Sequence, residues 1–132
     1  MATITPPIAI DGDGELNVYS TLREARSAME PYDVDDGLYE AFDSAGYPLR
    51  ISTLGLLVVM DLPADSTPDP DELARRLRLH ISDVGPDRVG ITDLDSASVP
   101  TMLAALQSFD LEWRGRSSGL LSRIRAWLRP VP

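Results

Sequence analysis

Tyr39-Glu40-Ala41-Phe42-Asp43-Ser44-Ala45-Gly46-Tyr47-Pro48-Leu49-Arg50-Ile51 is a pair of short aromatic and β-branched runs joined through the polar link Asp43 to Gly46. Gly46 can supply the positive φ that a tight reversal needs, so the stretch reads as a hairpin of strands Tyr39–Phe42 and Tyr47–Ile51. Pro48 cannot donate to a ladder, which predicts a second strand at a sheet edge or bulged near its start. Leu54 to Leu62 is apolar apart from Gly55 and Asp61, and fits a central strand covered on both faces.

Upstream, Glu15–Tyr19 alternates Leu16 and Val18 with Asn17 and reads as a strand, preceded by a Gly- and Asp-rich arm, Asp11-Gly12-Asp13-Gly14. Ser20 is a candidate helix cap, with Leu22, Ala25, Ala28 and Met29 on one stripe and a stop before Pro31. Asp33-Val34-Asp35-Asp36-Gly37 reads as a solvated turn. As a calcium loop it fails, because Leu38 and Ser44 stand where an EF-hand needs its glycine and bidentate glutamate.

Downstream, the best-specified element has Asp69 at its cap, Pro70 at its first position, and Asp71 and Glu72 in its positive first turn. Leu73, Leu77, His80, Ile81 and Val84 share one face, and Gly85-Pro86 ends the helix. Arg88–Thr92 reads as a short strand, Val99–Phe109 as a helix with Pro100 in its first turn, and Leu111 with Trp113 as a last strand. The result is an α+β fold: a small, mostly antiparallel sheet with two or three packed helices and a C-terminal basic amphipathic helix. Residues 1–114 are expected to form an acidic domain, 115–119 a hinge and 120–129 the basic helix.

Charge follows the same division. Residues 1–111 carry 20 acidic side chains against 7 arginines, net −13, whereas residues 112–132 carry 5 arginines against Glu112, net +4. Such a field repels phosphate backbones and favours cationic protein partners, so nucleic acid is not expected to bind. There is no lysine for a Schiff base or phosphate loop, and no cysteine for a thiolate metal site, a disulfide or a nucleophile. No secretory leader or membrane span is read in the chain, and a reducing, cytoplasmic setting is expected.

No cofactor or metal is implied, and no catalytic set emerges. His80 is the only imidazole and sits on an apolar helical face; the Gly-x-Ser-x-Gly spacing of residues 115–119 falls in the small, polar stretch read as a hinge, not on a strand-to-helix turn that would expose a nucleophile. Partner binding falls instead on Tyr32, Asp33, Asp35, Asp36, Tyr39, Glu40, Asp43 and Tyr47, where tyrosines give contact area and carboxylates pair with Arg or Lys. A second candidate contact is the tail, with Leu120, Leu121, Ile124, Trp127 and Leu128 on its apolar face and Arg123, Arg125 and Arg129 on the remainder. It has three readings: docked on its own body, donated to a partner or second copy, or laid on an anionic membrane surface.

The segment Met29-Glu30-Pro31-Tyr32-Asp33-Val34-Asp35-Asp36-Gly37-Leu38-Tyr39-Glu40-Ala41-Phe42-Asp43-Ser44-Ala45-Gly46, with the strand and helix before it, resembles small uncharacterised actinobacterial proteins. These carry a Leu-Glu-x-Ile-Asp-Val-x-x-Gly-Glu-Tyr-x-x-(Tyr/Phe)-Asp-x-x-Gly-like segment, and some resemble immunity proteins of polymorphic toxin systems. The resemblance extends through the helix ending at Val84, a little over half the chain, and departs at Met29, Tyr32 and Leu38. The segment is hairpin chemistry rather than an active site; the −13 body and the absence of a catalytic set lead to the expectation of a non-enzymatic, immunity-like protein that neutralises a cationic partner through its acidic, tyrosine-bearing face. The alternative is a structural or adaptor subunit that assembles or touches membrane through its C-terminal helix.

Overall fold

The computed structural model describes residues 3–12 and 14–117, and the tail reading on residues 120–129 lies outside them. The chain runs β1 (Ile8–Gly12), β2 (Glu15–Tyr19), α1 (Leu22–Ser27), α2 (Pro31–Asp35), β3 (Tyr39–Phe42), β4 (Pro48–Leu54) and β5 (Leu57–Asp61). It continues with α3 (Pro70–Val84), a 3-10 turn (Pro86–Val89) and α4 (Val99–Ser117). The strands form one antiparallel sheet in the order β2-β1-β3-β4-β5, so the α+β expectation holds.

Side-chain alternation sends two apolar sets to opposite faces. Ala9, Leu16, Val18 and Phe42 meet Leu73, Leu77 and Ile81 of α3 and Met102, Leu103 and Leu106 of α4. Ile8, Ile10, Ala41, Leu49 and Met60 meet Ala25 and Met29 on the other face, where α1 and α2 lie. Burying each large aliphatic side chain contributes roughly 1.5–3 kcal/mol, so the two faces together hold the sheet between its helix layers.

The hairpin expected at Tyr39–Ile51 is present, with Ala41 opposite Leu49 and Phe42 opposite Pro48. The edge expected for its second strand is not: β4 lies between β3 and β5, and Pro48 is accommodated because it opens β4 and β5 pairs with that strand only from Arg50 onward. Leu54–Leu62 is not a buried central strand either. Gly55, at φ +62°, turns the chain between Leu54 and Leu57, and β5 becomes an edge. A continuous apolar run carries no period, so burial on two faces and an exposed hairpin tip look alike until Gly55 is read as punctuation.

Four other expectations are corrected. The Asp11–Gly14 arm is the end of β1 and its turn into β2, because Ile8-Ala9-Ile10 supplies a strand that pairs along Glu15–Tyr19. Thr21, not Ser20, caps α1, its hydroxyl accepting the Glu24 amide at 3.1 Å. The solvated turn at Asp33 is mostly helix, opened by Pro31. Arg88–Thr92 is not a strand: Pro86–Val89 closes a 3-10 turn and Ile91 drops into the core.

At the C-terminal side, α4 runs through Leu111 and Trp113 to Ser117, replacing both a last strand and the first half of the expected hinge. The β2 edge of the sheet is covered by α4 itself, whose Asp110 carboxylate accepts the Val18 amide at 3.3 Å and whose Gln107 reaches Ser20 at 2.5 Å.

Helix α3 is capped as expected, Asp69 accepting the Glu72 amide at 3.2 Å. It is tied to the sheet by Arg76, which donates to Asp11 at 3.0 Å, Glu40 at 2.7 Å and Glu72 at 2.8 Å, and lies 5.1 Å from the centre of the Phe42 ring. Hydrogen bonds from Arg75 and Arg76 hold the Glu72 carboxyl down at about 2, against an ordinary value of 4.5. The folded value lies below the unfolded one, so this contact stabilises fully above pH 4.5 and is lost as pH falls towards 2. A Glu72→Gln variant should therefore show a flatter acid limb when thermal unfolding is followed against pH. An unchanged limb would mean that Glu72 does not couple to folding.

Candidate functional site

A cavity of about 370 Å³ opens on the α1–α2 side of the sheet, and its floor follows from strand register. Gly12 pairs with Glu15 on one side and Tyr39 on the other, so Glu15, Gly12 and Tyr39 form a row across β2, β1 and β3. The missing side chain at the centre makes the hollow: a Cβ on Gly12 would stand 2.4 Å from the Tyr39 ring and 2.7 Å from the Leu38 carbonyl oxygen. Asn17 and Tyr19 follow Glu15 on the same face of β2, since Leu16 and Val18 take the other. The opposite wall comes from Met29 and Glu30 after α1 and from Asp33 in α2.

Three carboxylates and two phenols thus border one concavity, with no cationic side chain among its described lining residues. The Tyr39 hydroxyl donates to Asp33 at 3.3 Å. Burial, reinforced by the Asp33 charge and that hydrogen bond, pushes the Tyr39 phenol above its ordinary range. It therefore stays a neutral O–H donor at physiological pH, leaving negative charge on the carboxylates. Glu15, Tyr19 and Glu30 also interact with neighbouring groups. Among the described residues no group of His, Cys, Asp and Glu is arranged to hold a metal ion.

The acidic, tyrosine-bearing face expected from the sequence is divided by the fold. Asp33 and Tyr39 enter the cavity, and Tyr32 and Asp35 lie on the adjoining α2 with Asp36 at its C-terminal cap, Tyr32 being 77% exposed and Asp35 accepting from Thr53 at 2.6 Å. Glu40 points to the other face of the sheet and is bound by Arg76. Asp43 and Tyr47 sit in the β3–β4 turn, away from both.

Asp43 is a correction, not a contact: it is 1% exposed, and its carboxylate accepts the amides of Thr5, Ala45 and Tyr47, each at 3.0 Å. An aspartate next to aromatics in sequence reads as a surface acid, yet here it satisfies the donors of a tight turn that would otherwise be buried unpaired.

Glu15, Asn17 and Tyr19 were not singled out in the sequence. Their signal was the alternation of β2, which places everything other than Leu16 and Val18 on one face. It became useful only once β1 supplied the strand between β2 and β3. His80 is half-buried beside Asp83 and Arg88, and no serine or threonine is among the described residues that line that hollow. Among the described residues no helix is long and apolar enough to cross a membrane. No protein-family model, curated protein or solved structure matches the chain.

Proposed function

We propose that this chain is a non-enzymatic protein-binding module whose Glu15, Glu30, Asp33, Tyr19 and Tyr39 cavity receives a cationic side chain from a protein partner. Neutralisation of a basic protein, in the manner of an immunity protein, is the biological form this reading takes. The observation that carries it is the convergence of three carboxylates and two tyrosines on a hollow of about 370 Å³. Pockets that take ligands begin at roughly 300 Å³. A guanidinium suits it chemically, because its planar fork bonds carboxylates two at a time and its face stacks on tyrosine. The net charge of −9 would draw such a partner from a distance and make association sensitive to salt.

The test is affinity for a short arginine-bearing peptide, and for any basic protein captured by the full chain, using a Glu30→Gln, Asp33→Asn double variant. Removing partners of a desolvated charge costs about 2–5 kcal/mol, so binding should weaken at least about 30-fold. Glu40→Gln, on the opposite face of the sheet, should leave affinity within about twofold. Equal binding by the double variant would contradict the cavity reading, and loss on Glu40→Gln would move the contact to the α3 face.

A further inference from the structure

The sheet has two edges, and the chain treats them differently. At β2, Gly12 and Glu15 flank a two-residue turn and bond to each other, so the amides of Leu16 and Val18 point away from β1. That edge is closed: α4 packs along it, and Asp110 accepts the Val18 amide. At β5, Leu54 and Leu57 flank the Gly55-Leu56 turn in the same way, so Leu57, Val59 and Asp61 bond to β4. Val58 and Met60 therefore turn their N–H and C=O groups outward, and no described residue is bonded to them there.

Leu54, Leu56 and Leu57 at the same hairpin are 72%, 91% and 66% exposed, and no charged residue occurs from Ile51 to Met60. A groove of about 410 Å³ runs between this edge and α1, lined by Leu56 to Val59 on one side and by Arg23 and Arg26 on the other. Apolar, uncharged edges with unpaired backbone groups recruit another strand, and soluble proteins usually blunt them with charge, proline or a covering element.

We propose that β5 is the surface through which two copies of this chain associate, edge to edge and antiparallel about a two-fold axis. Three observations favour a second copy as the occupant. First, the strand is its own complement. With Val58 facing Val58 of the second copy, the outward backbone groups of Leu56, Val58 and Met60 meet their equivalents, and Leu57 stands opposite Val59, apolar against apolar.

Second, copies that each carry −9 repel through almost any other face, whereas this stretch brings no carboxylate against a carboxylate. The same register sets the second copy's Asp61 opposite Gly55, with its carboxylate already paired to Arg50. Third, β2 is already capped, so pairing through β5 closes the assembly at two copies and leaves no open edge for further growth.

Size exclusion with light scattering on the full chain, across a range of concentrations, tests this. The expected species has twice the 14.4 kDa chain mass at high concentration. Val58→Pro removes an amide that faces away from β4, and Leu56→Lys charges a turn residue, so both should keep the folded circular-dichroism spectrum and weaken dimerisation at least tenfold. Exchange of the Val58 and Met60 amides should slow with rising concentration in the unmodified chain alone. A monomer at every concentration, or a dimer retained in both folded variants, would overturn the proposal. The cavity reading is untouched by either result, since the cavity lies at the opposite end of the strand order.

Discussion

Asp43→Ala is expected to destabilise the fold by about 4 kcal/mol, because removing a buried, fully bonded carboxylate strands the donors it served. Those donors are the Thr5, Ala45 and Tyr47 amides, which come from the chain before β1 and from the turn between β3 and β4. The carboxylate thus holds the turn in shape and fastens the N-terminal segment to it, a join reinforced by the Ser44 amide and hydroxyl donating to the Thr5 carbonyl, both at 2.9 Å. Asp43→Asn keeps the shape and the oxygen that serves Ala45 and Tyr47, but sets an amide donor against the Thr5 N–H. It should cost about half as much. Denaturant unfolding measures both, and an Asp43→Ala variant within about 1 kcal/mol of the unmodified chain would show that water replaces the carboxylate without penalty.

Gly46→Ala should cost about 3 kcal/mol, for two reasons that act together. The residue sits at φ +88°, where a side chain meets its own backbone, at roughly 1–2 kcal/mol. An added Cβ would also stand 2.8 Å from the Cα and nitrogen of Pro70 and 3.2 Å from the Asp69 carbonyl carbon, all backbone atoms that cannot swing aside. Gly46 further accepts the Asp69 amide through its carbonyl at 2.8 Å, so relief of the clash would pull the start of α3 from the turn. Melting should fall by roughly 10 °C for a domain of this size. Gly14→Ala is the matched control: its φ is +76°, but nothing lies within 4 Å of an added Cβ, so only the conformational part remains. Equal losses at both positions would mean that the contact with α3 is not tight.

These two residues show which parts of the fold were legible in the sequence and which were not. The reversal at Gly46 and the capped helix from Asp69 to Gly85 were readable because each rests on local chemistry: a permissive φ, an Asp cap, a proline at the first turn. That Gly46 also touches Pro70 was not, since it joins two well-read elements through space. Asp43 was misread in part for the same reason: two of its amides, Ala45 and Tyr47, are local, but the third comes from Thr5, far off in the chain.

The sheet order posed a different difficulty. The strand Ile8–Gly12 is short and merges with a glycine- and aspartate-rich link, yet it lies between β2 and β3, so missing it hid the row Glu15–Gly12–Tyr39 that floors the cavity. Residues adjacent in sequence such as Tyr39 and Glu40 face opposite sides of a strand, and a charge map along the chain merges what the pleat separates. Asp33 and Tyr39 reached the site because helix α2 returns over the face on which Tyr39 lies. Glu40 did not, and Arg76 holds it elsewhere.

Backbone amide NMR during titration with an arginine-bearing peptide tests the central claim most directly. Saturable shifts are expected, concentrated at Gly12, Glu15, Asn17, Tyr19, Glu30, Asp33 and Tyr39, reduced by salt and lost in the Glu30→Gln, Asp33→Asn variant. Shifts centred on Asp83 and Asp87 of the α3 end, or spread evenly over all acidic residues, would contradict it.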